Sequence, residues 1–307
     1  LVDLKGTYFM NYEKYFGKKV MEFSQREMTE DWLDSAHGEI HLDVFTKDVE
    51  APTIVFSHGM AGYGRLLCPY AYRLFSNGFN VILPDLIGYG HNKGQRGHWK
   101  WSDLVKNLID TSNYAANKFN GDIFLAGGSM GGVIAYHAVC HGAPVKAVAC
   151  YCLFDFQDME LIKESSSYGP FTSLVKSSLR WISKVAPNFS IPASSVSSYD
   201  NLSDNDEFNN LVKKDPLGGN KMTLTAASEM TSVLLPISFE EFDIVPILVI
   251  QPGADKMTPA KFTKKAYEKL GTKNKKYLEL EGRGHWVLDD EGVDTICNEI
   301  NEWFLKA

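Results

Sequence analysis

Ser129, Asp255 and His285 are the residues whose types and settings offer acyl-transfer chemistry in this chain. Ser129 stands in Gly127-Gly128-Ser129-Met130-Gly131-Gly132, which fits G-x-S-x-G directly after the apolar run Ile123-Phe124-Leu125-Ala126. A sharp strand-to-helix turn of this kind lifts a hydroxyl above a sheet edge. It leaves little room beside the nucleophile, which accounts for flanking glycines. It also aims the next backbone N–H and a helix N-terminus at one point, where negative charge is stabilised. A pentapeptide alone is an ordinary turn; the strand before it and the helix after it favour the catalytic reading.

A serine hydroxyl needs a base, and the base needs orienting. His285 in Gly282-Arg283-Gly284-His285-Trp286 follows the last strand-like run, on a loop able to reach over a sheet edge. Asp255 in Gln251-Pro252-Gly253-Ala254-Asp255 follows the run Ile247–Gln251, where a carboxylate accepts from the imidazole and fixes its tautomer. Asp155 is the alternative acid; Asp243 precedes its strand and lies at the wrong end. The order Ser…Asp…His is that of an α/β-hydrolase. An oxyanion hole needs two donors, and the Met130 N–H is one. The other is the Met60 N–H, in the turn His58-Gly59-Met60-Ala61-Gly62, with His58 read as structural.

These residues must sit at strand ends. Thr53–Ser57, Asn80–Leu83, Ile123–Ala126, Val145–Cys152, Ile247–Gln251 and Lys276–Leu280 read as six central parallel strands. Lys19–Met28 and Glu39–Thr46, joined across His37-Gly38, read as an antiparallel edge hairpin. Helices are expected at Pro69–Ser76, Met130–His141, Ala260–Leu270 and Asp294–Leu305, with Thr258 as a cap and Pro259 at the first helical position. The strand rhythm breaks between Leu153 and Phe242, too long a stretch for a simple connection. It reads as a helical cap, giving core 1–153, cap 154–242 and core 243–307. Phe171, Leu174, Val175, Leu179 and Ile182 recur there at helical spacing. That stripe either packs the cap or lines an apolar channel. Phe171, Val175 and Leu179, with Trp286, are the candidate pocket residues.

Composition narrows the classes. The chain has 307 residues, a net charge of −7 and 44% hydrophobic residues, an ordinary globular balance. The acidic charge disfavours nucleic acid and anionic membrane surfaces as partners. Five cysteines, odd in number and mostly in apolar contexts, read as reduced thiols. Cys150-x-Cys152 lacks a second ligand pair, and His137 and His141, one turn apart, lack a further ligand and read as surface or capping residues, so no metal is expected. The glycine-rich turns match neither nucleotide motif, and no cofactor is expected. No stretch is long and apolar enough to span a membrane. No signal-peptide pattern is visible, although Leu1 in place of Met leaves room for a removed segment; the expected location is cytoplasmic. No feature sets an oligomeric state.

From about residue 20 to its end the chain resembles the α/β-hydrolases, in the monoacylglycerol lipase/lysophospholipase-like branch grouped with the S33 serine aminopeptidases. The resemblance rests on His58-Gly59, on Gly78-Phe79-Asn80-Val81 with Pro84-Asp85, on Gly94-Gln95-Arg96-Gly97 and on the elbow. Leu202-Ser203, Asp215-Pro216-Leu217, Gly253-Ala254-Asp255 and Gly284-His285 complete it. It departs at Ile87-Gly88-Tyr89-Gly90-His91-Asn92, where the branch usually reads R-G-H-G-x-S, so substrate preference is expected to differ. The reading is a serine ester hydrolase whose small-molecule substrate carries an apolar acyl chain. The same triad acting on an amide, lactone, thioester or carbon–carbon bond is the alternative, as is a non-catalytic binding homologue.

Overall fold

The computed structural model describes residues 2–36, 38–161, 172–195 and 199–307. Its centre is an eight-stranded sheet in the order β1-β2-β4-β3-β5-β6-β9-β10. The strands are β1 (Met28–Ser35), β2 (Gly38–Phe45), β3 (Thr53–Ser57), β4 (Asn80–Pro84), β5 (Ile123–Gly128), β6 (Val148–Tyr151), β9 (Ile247–Pro252) and β10 (Lys275–Leu280). β7 (Ser190–Pro192) and β8 (Lys221–Thr223) form a separate antiparallel ribbon. The last six strands of the large sheet run parallel. β1 and β2 are antiparallel to each other, and β2 to β4. Every residue of β3 and β4 is buried, as continuous apolar runs in a sheet covered on both faces require.

The first hairpin strand is misplaced in the sequence reading. Lys18–Glu27 is a helix that buries Val20, Met21, Phe23 and Ser24. The adjacent pairs Val20-Met21 and Phe23-Ser24 follow the 3.6-residue period, which alternation cannot supply. The pairing strand is β1, which has no buried residue after Met28 and lies at the sheet edge. His37, in the expected turn, lies outside the described residues. The closing helix is Asp290–Phe304, one turn earlier than expected, because the Asp289 side chain caps it by accepting from the Gly292 N–H. Helix Ala260–Lys269 has Pro259, not Thr258, at its N-cap. The Thr258 N–H is instead spent on Asp255 Oδ1, at 2.8 Å.

The chain order reverses about β3, which lies between β4 and β5. In open α/β sheets, the crevice at such a switch point, outside the carboxyl ends of the strands, is where ligands bind. Ser129 and His58 follow the two strands that meet there. Helix Met130–Cys140 packs behind them, buried from Met130 to Val139.

The connection between β6 and β9 carries helices Thr172–Val185, Asp206–Lys214 and Leu224–Met230. It is fastened to loops at the same sheet edge. The Gly219 N–H donates to Ala61 O at 3.1 Å, Gly90 N–H to Leu217 O at 2.9 Å and Trp286 N–H to Leu202 O at 2.7 Å. The Asp215 carboxylate accepts from the Tyr12 and Tyr63 hydroxyls at 2.8 and 3.0 Å. A hydroxyl from the N-terminal arm and one from the loop after β3 thus meet on one buried group. Burial raises the Asp215 pKa, against the hydrogen bonds that favour its charged form.

A second buried polar group locks the antiparallel edge to the core. The Arg65 guanidinium donates to both oxygens of Asp43, at 3.1–3.2 Å, and to Glu30. Asp43 is fully buried. Arg65→Ala removes the guanidinium partner of that carboxylate, leaving His41 Nε2 at 3.7 Å beside it, and is expected to cost about 3–5 kcal/mol. A lower urea midpoint at unchanged slope is the readout.

Candidate active site

The nucleophile turn forms because its outer glycines admit close backbone contact. A Cβ on Gly127 would stand 2.1 Å from Gly131 O, and one on Gly131 would stand 2.4 Å from His58 O and 2.8 Å from Ser57 O. Gly128, directly before Ser129, is different: a Cβ there meets nothing closer than 3.9 Å. The crowding is therefore at positions 127 and 131. Gly131→Ala must push the elbow away from the His58-Gly59 turn. It is expected to cost about 1–3 kcal/mol and to reduce turnover in the protein that remains folded, whereas Gly128→Ala should leave the melting temperature nearly unchanged.

Ser129 itself adopts φ 55° and ψ −123°, a strained conformation for a non-glycine residue. Its N–H donates to Tyr151 O at 2.8 Å, which fixes it against β6. Its Oγ lies 2.9 Å from His285 Nε2, and His285 Nδ1 lies 2.7 Å from Asp255 Oδ2. The second contact makes Nδ1 the protonated nitrogen, so Nε2 is free to accept from the serine hydroxyl. Asp255 and His285 are buried.

Asp255 is held from several sides. Oδ1 accepts from the Met257 and Thr258 N–H groups at 2.7 and 2.8 Å. Gln251 Nε2 approaches Oδ2 at 3.4 Å. Burial works to raise this carboxyl, but the His285 contact and the two amides outweigh it and hold it below its ordinary value. The runner-up Asp155 is occupied locally, accepting from the Gln157 N–H at 2.8 Å.

The His58–Gly62 turn stands against the elbow. A Cβ on Gly59 would lie 2.8 Å from Gly128 O and 3.6 Å from Met130 N. Ala61 takes φ 66° there. Among the described residues, neither the Met60 nor the Met130 N–H has an acceptor. His58 is a brace: Nδ1–H donates to Gly59 O at 2.7 Å, and Nε2 accepts from the Leu86 N–H at 3.0 Å. Burial lowers its pKa, which suits this neutral role. Tyr89, from the loop that departs from the branch pattern, packs edge-on against His58 at 5.5 Å. Asn92 of that loop accepts from the His41 N–H at 2.7 Å.

The expected pocket residues fare unevenly. Phe171 lies outside the described residues. Val175 belongs to helix Thr172–Val185, and Leu179 is half-buried against the core. Ile182 of the same stripe is exposed. Trp286 is half-buried, its ring 5.4 Å from Phe208 in an edge contact. His137 is a correction. It is buried and accepts from Trp101 Nε1 at 3.0 Å, rather than lying on the surface. His141 does occupy the helix C-cap.

Two further residues belong to this site: Tyr151 was not singled out from the sequence, and Cys152 was weighed there only with Cys150 and set aside. The Tyr151 hydroxyl donates to His285 O at 2.6 Å. Cys152 Sγ lies 3.5 Å from Asp255 Oδ2 and 4.0 Å from His285 Nδ1. Burial first, and the Asp255 charge second, push that thiol's pKa well above the ordinary value, so it donates as S–H. Tyr151-Cys152 therefore touches all three of Ser129, Asp255 and His285. The available signal was position alone: the pair ends a central strand at its carboxyl edge. All five cysteines are free. No described helix is long and apolar enough to cross a membrane.

A family model described as serine aminopeptidase, S33, matches residues 50–292. The Bacillus subtilis (strain 168) protein named phospholipase YtpA is 25% identical over 248 residues, spanning 79% of this chain and 91% of its own. A putative monoglyceride lipase of Schizosaccharomyces pombe is 25% identical over 270 residues. That match takes in 84% of this chain and 65% of the lipase, just under two thirds of it. Among solved structures, a soluble variant of the Saccharomyces cerevisiae monoglyceride lipase with a substrate analogue superposes with a TM-score of 0.73. Its identity is 13%, over 91% of this chain and 94% of that one. The Paleococcus ferrophilus monoacylglycerol lipase gives 0.68 at 19% identity, over 87% and 98%. At these identities the structural likeness carries the fold, which is that of the α/β-hydrolases. The family match agrees with the resemblance read from the sequence.

Proposed function

We propose that this chain, which belongs to the serine aminopeptidase S33 family, is a serine hydrolase of carboxylic esters with an apolar acyl chain. The observation that carries the reading is the chain of contacts from Ser129 Oγ through His285 to Asp255, at 2.9 and 2.7 Å. Ser129 Oγ attacks the acyl carbonyl while His285 Nε2 takes its proton. Asp255 stabilises the imidazolium through Nδ1–H. The Met60 and Met130 N–H groups receive the oxyanion, and helix Met130–Cys140 presents its N-terminus to the same point. His285 then protonates the leaving alcohol, and water, activated by the same imidazole, releases the acid from the acyl-enzyme.

The choice of an ester follows the relatives named as a phospholipase and a putative monoglyceride lipase. The segment between β6 and β9 acts as a cap that shapes the acyl pocket, with Leu179 in it and Trp286, from the loop after β10, packed against its Phe208. Hydrolysis of p-nitrophenyl esters from acetyl to palmitoyl tests the reading. Serine-dependent turnover with an optimum at a medium or long chain is the expected result. Inertness toward the whole series, with a probe-reactive Ser129, would move the assignment to an amide, lactone, thioester or carbon–carbon bond. Inertness toward both would leave a binding protein.

A further inference from the structure

Three metal-ligating side chains from three separate loops converge behind the nucleophile. Cys152 follows β6, Asp255 follows β9 and His285 follows β10. Their donor atoms Sγ, Oδ2 and Nδ1 all lie within 4.8 Å of one another, and all three residues are buried. Cys152 is held there at φ 65°, a left-handed conformation that a non-glycine residue keeps only where its surroundings impose it.

We propose that Cys152 Sγ, Asp255 Oδ2 and His285 Nδ1 form an inhibitory site for a thiophilic divalent cation such as Zn²⁺, which switches the hydrolase off from behind. The inhibitory half of this proposal rests on the serine-hydrolase reading; the binding half does not. Zinc bonds thiolate at about 2.3 Å and imidazole or carboxylate at about 2.0–2.2 Å. Tetrahedral angles then ask for ligand separations of roughly 3.3–3.6 Å. The observed separations are 3.5, 4.0 and 2.7 Å. Reaching that range takes a shift of the imidazole by about 1 Å, toward the sulfur and away from the carboxylate. The carboxylate is oriented for this from outside, because Oδ1 stays bound to the amides of Met257 and Thr258.

Proton accounting gives the inhibition. The thiol loses its proton to solvent when sulfur binds the cation. The cation also takes the Nδ1 position, and the ring keeps its one proton at Nε2 instead. One proton is released per cation bound. Nε2–H then faces Ser129 Oγ as a donor and has no lone pair for the hydroxyl proton. The base is lost although the serine is untouched.

The cluster Glu30, His41 and Asp43 offers a comparable donor set. It carries no such site, because the Arg65 guanidinium already binds both carboxylates. No sequence spacing signals the Cys152 set, since its cysteine and carboxylate are 103 residues apart.

The test is a Cd²⁺ titration of wild type, Ser129→Ala, Cys152→Ser and Asp255→Asn, followed by the ultraviolet charge-transfer band of a cadmium–thiolate bond. Zn²⁺ inhibition of ester hydrolysis, with reversal by EDTA, is measured alongside, and circular dichroism verifies each fold. Wild type and Ser129→Ala are expected to develop the band at one equivalent, and Cys152→Ser to lack it. Asp255→Asn, which keeps the thiol, should bind Cd²⁺ roughly 10–100-fold more weakly. The Zn²⁺ needed for half-inhibition should rise by roughly the same factor, or more, in Cys152→Ser relative to that variant's own activity. An equal band in wild type and Cys152→Ser overturns the proposal, as does a saturated band with undiminished hydrolysis. The cadmium titration needs no turnover. A protein that forms the band yet cleaves no ester supports the site and sinks the ester-hydrolase reading instead.

Discussion

Ser129→Ala is expected to lower kcat by on the order of 10⁶, the size seen when the nucleophile of a serine triad is removed. The loss should fall on kcat rather than KM, because Oγ bonds to substrate only along the reaction path. The variant should keep its fold. The Ser129 backbone is fixed by its N–H bond to Tyr151 O and by the Gly132 N–H bond to Ser129 O, both at 2.8 Å, and alanine retains both. Steady-state kinetics beside a thermal melt decide it. A folded variant with activity within tenfold of wild type would remove Ser129 from the chemistry.

Asp255→Asn should cost about 10⁴ in kcat with little change in shape. The carboxylate does two things at once. Oδ1 receives two backbone amides, and Oδ2 receives the imidazole N–H at 2.7 Å. An asparagine whose oxygen keeps the amides must turn its NH₂ toward Nδ1. The ring then carries its proton on Nε2, where it cannot accept from Ser129. The same substitution also removes the charge that stabilises the imidazolium. Because the pKa of Asp255 is held below its ordinary value, wild type keeps this carboxylate ionised throughout the neutral range. A drop of less than tenfold would mean that another group orients His285.

What the sequence disclosed about this site follows from where each signal is stored. The elbow and the acid follow short apolar runs and the base follows a strand-like run, so a local pattern picked out each of them without knowledge of the sheet. The inner parallel strands were legible for the same reason, since strands covered on both faces are apolar throughout, whereas β10 at the far edge, Lys275-Lys276-Tyr277-Leu278-Glu279-Leu280, is only half-buried. The edge was not, because β1 carries Met28-Thr29-Glu30-Asp31-Trp32-Leu33-Asp34-Ser35, a run with three acidic residues that lacks the continuous apolar pattern of a covered strand. Tyr151 escaped notice and Cys152 was paired with Cys150 rather than with Asp255 and His285, because their partners are contributed by other loops. Asp215 was quoted as part of a motif, but its role depends on Tyr12 and Tyr63, which are 203 and 152 residues away. Contacts of that range are decided by how the strands are ordered, and no window of sequence contains them.

Gly128 shows the opposite error. Steric reasoning from the motif assigned crowding to the residues beside Ser129, yet the space before the serine is open and the tight contacts are at Gly127 and Gly131. The motif pattern was right and its explanation belonged to different positions.

The most direct measurement is the mass of the protein, intact and after peptide mapping, following reaction with a fluorophosphonate, with residual ester hydrolysis followed in the same sample. A serine made nucleophilic by His285 and Asp255 should take a single adduct, on the peptide that contains Ser129, and activity should fall in proportion to the labelled fraction. His285→Ala should take almost none. Hydrolysis that persists after complete labelling of Ser129, or an adduct on another residue that accounts for the loss, would contradict the account.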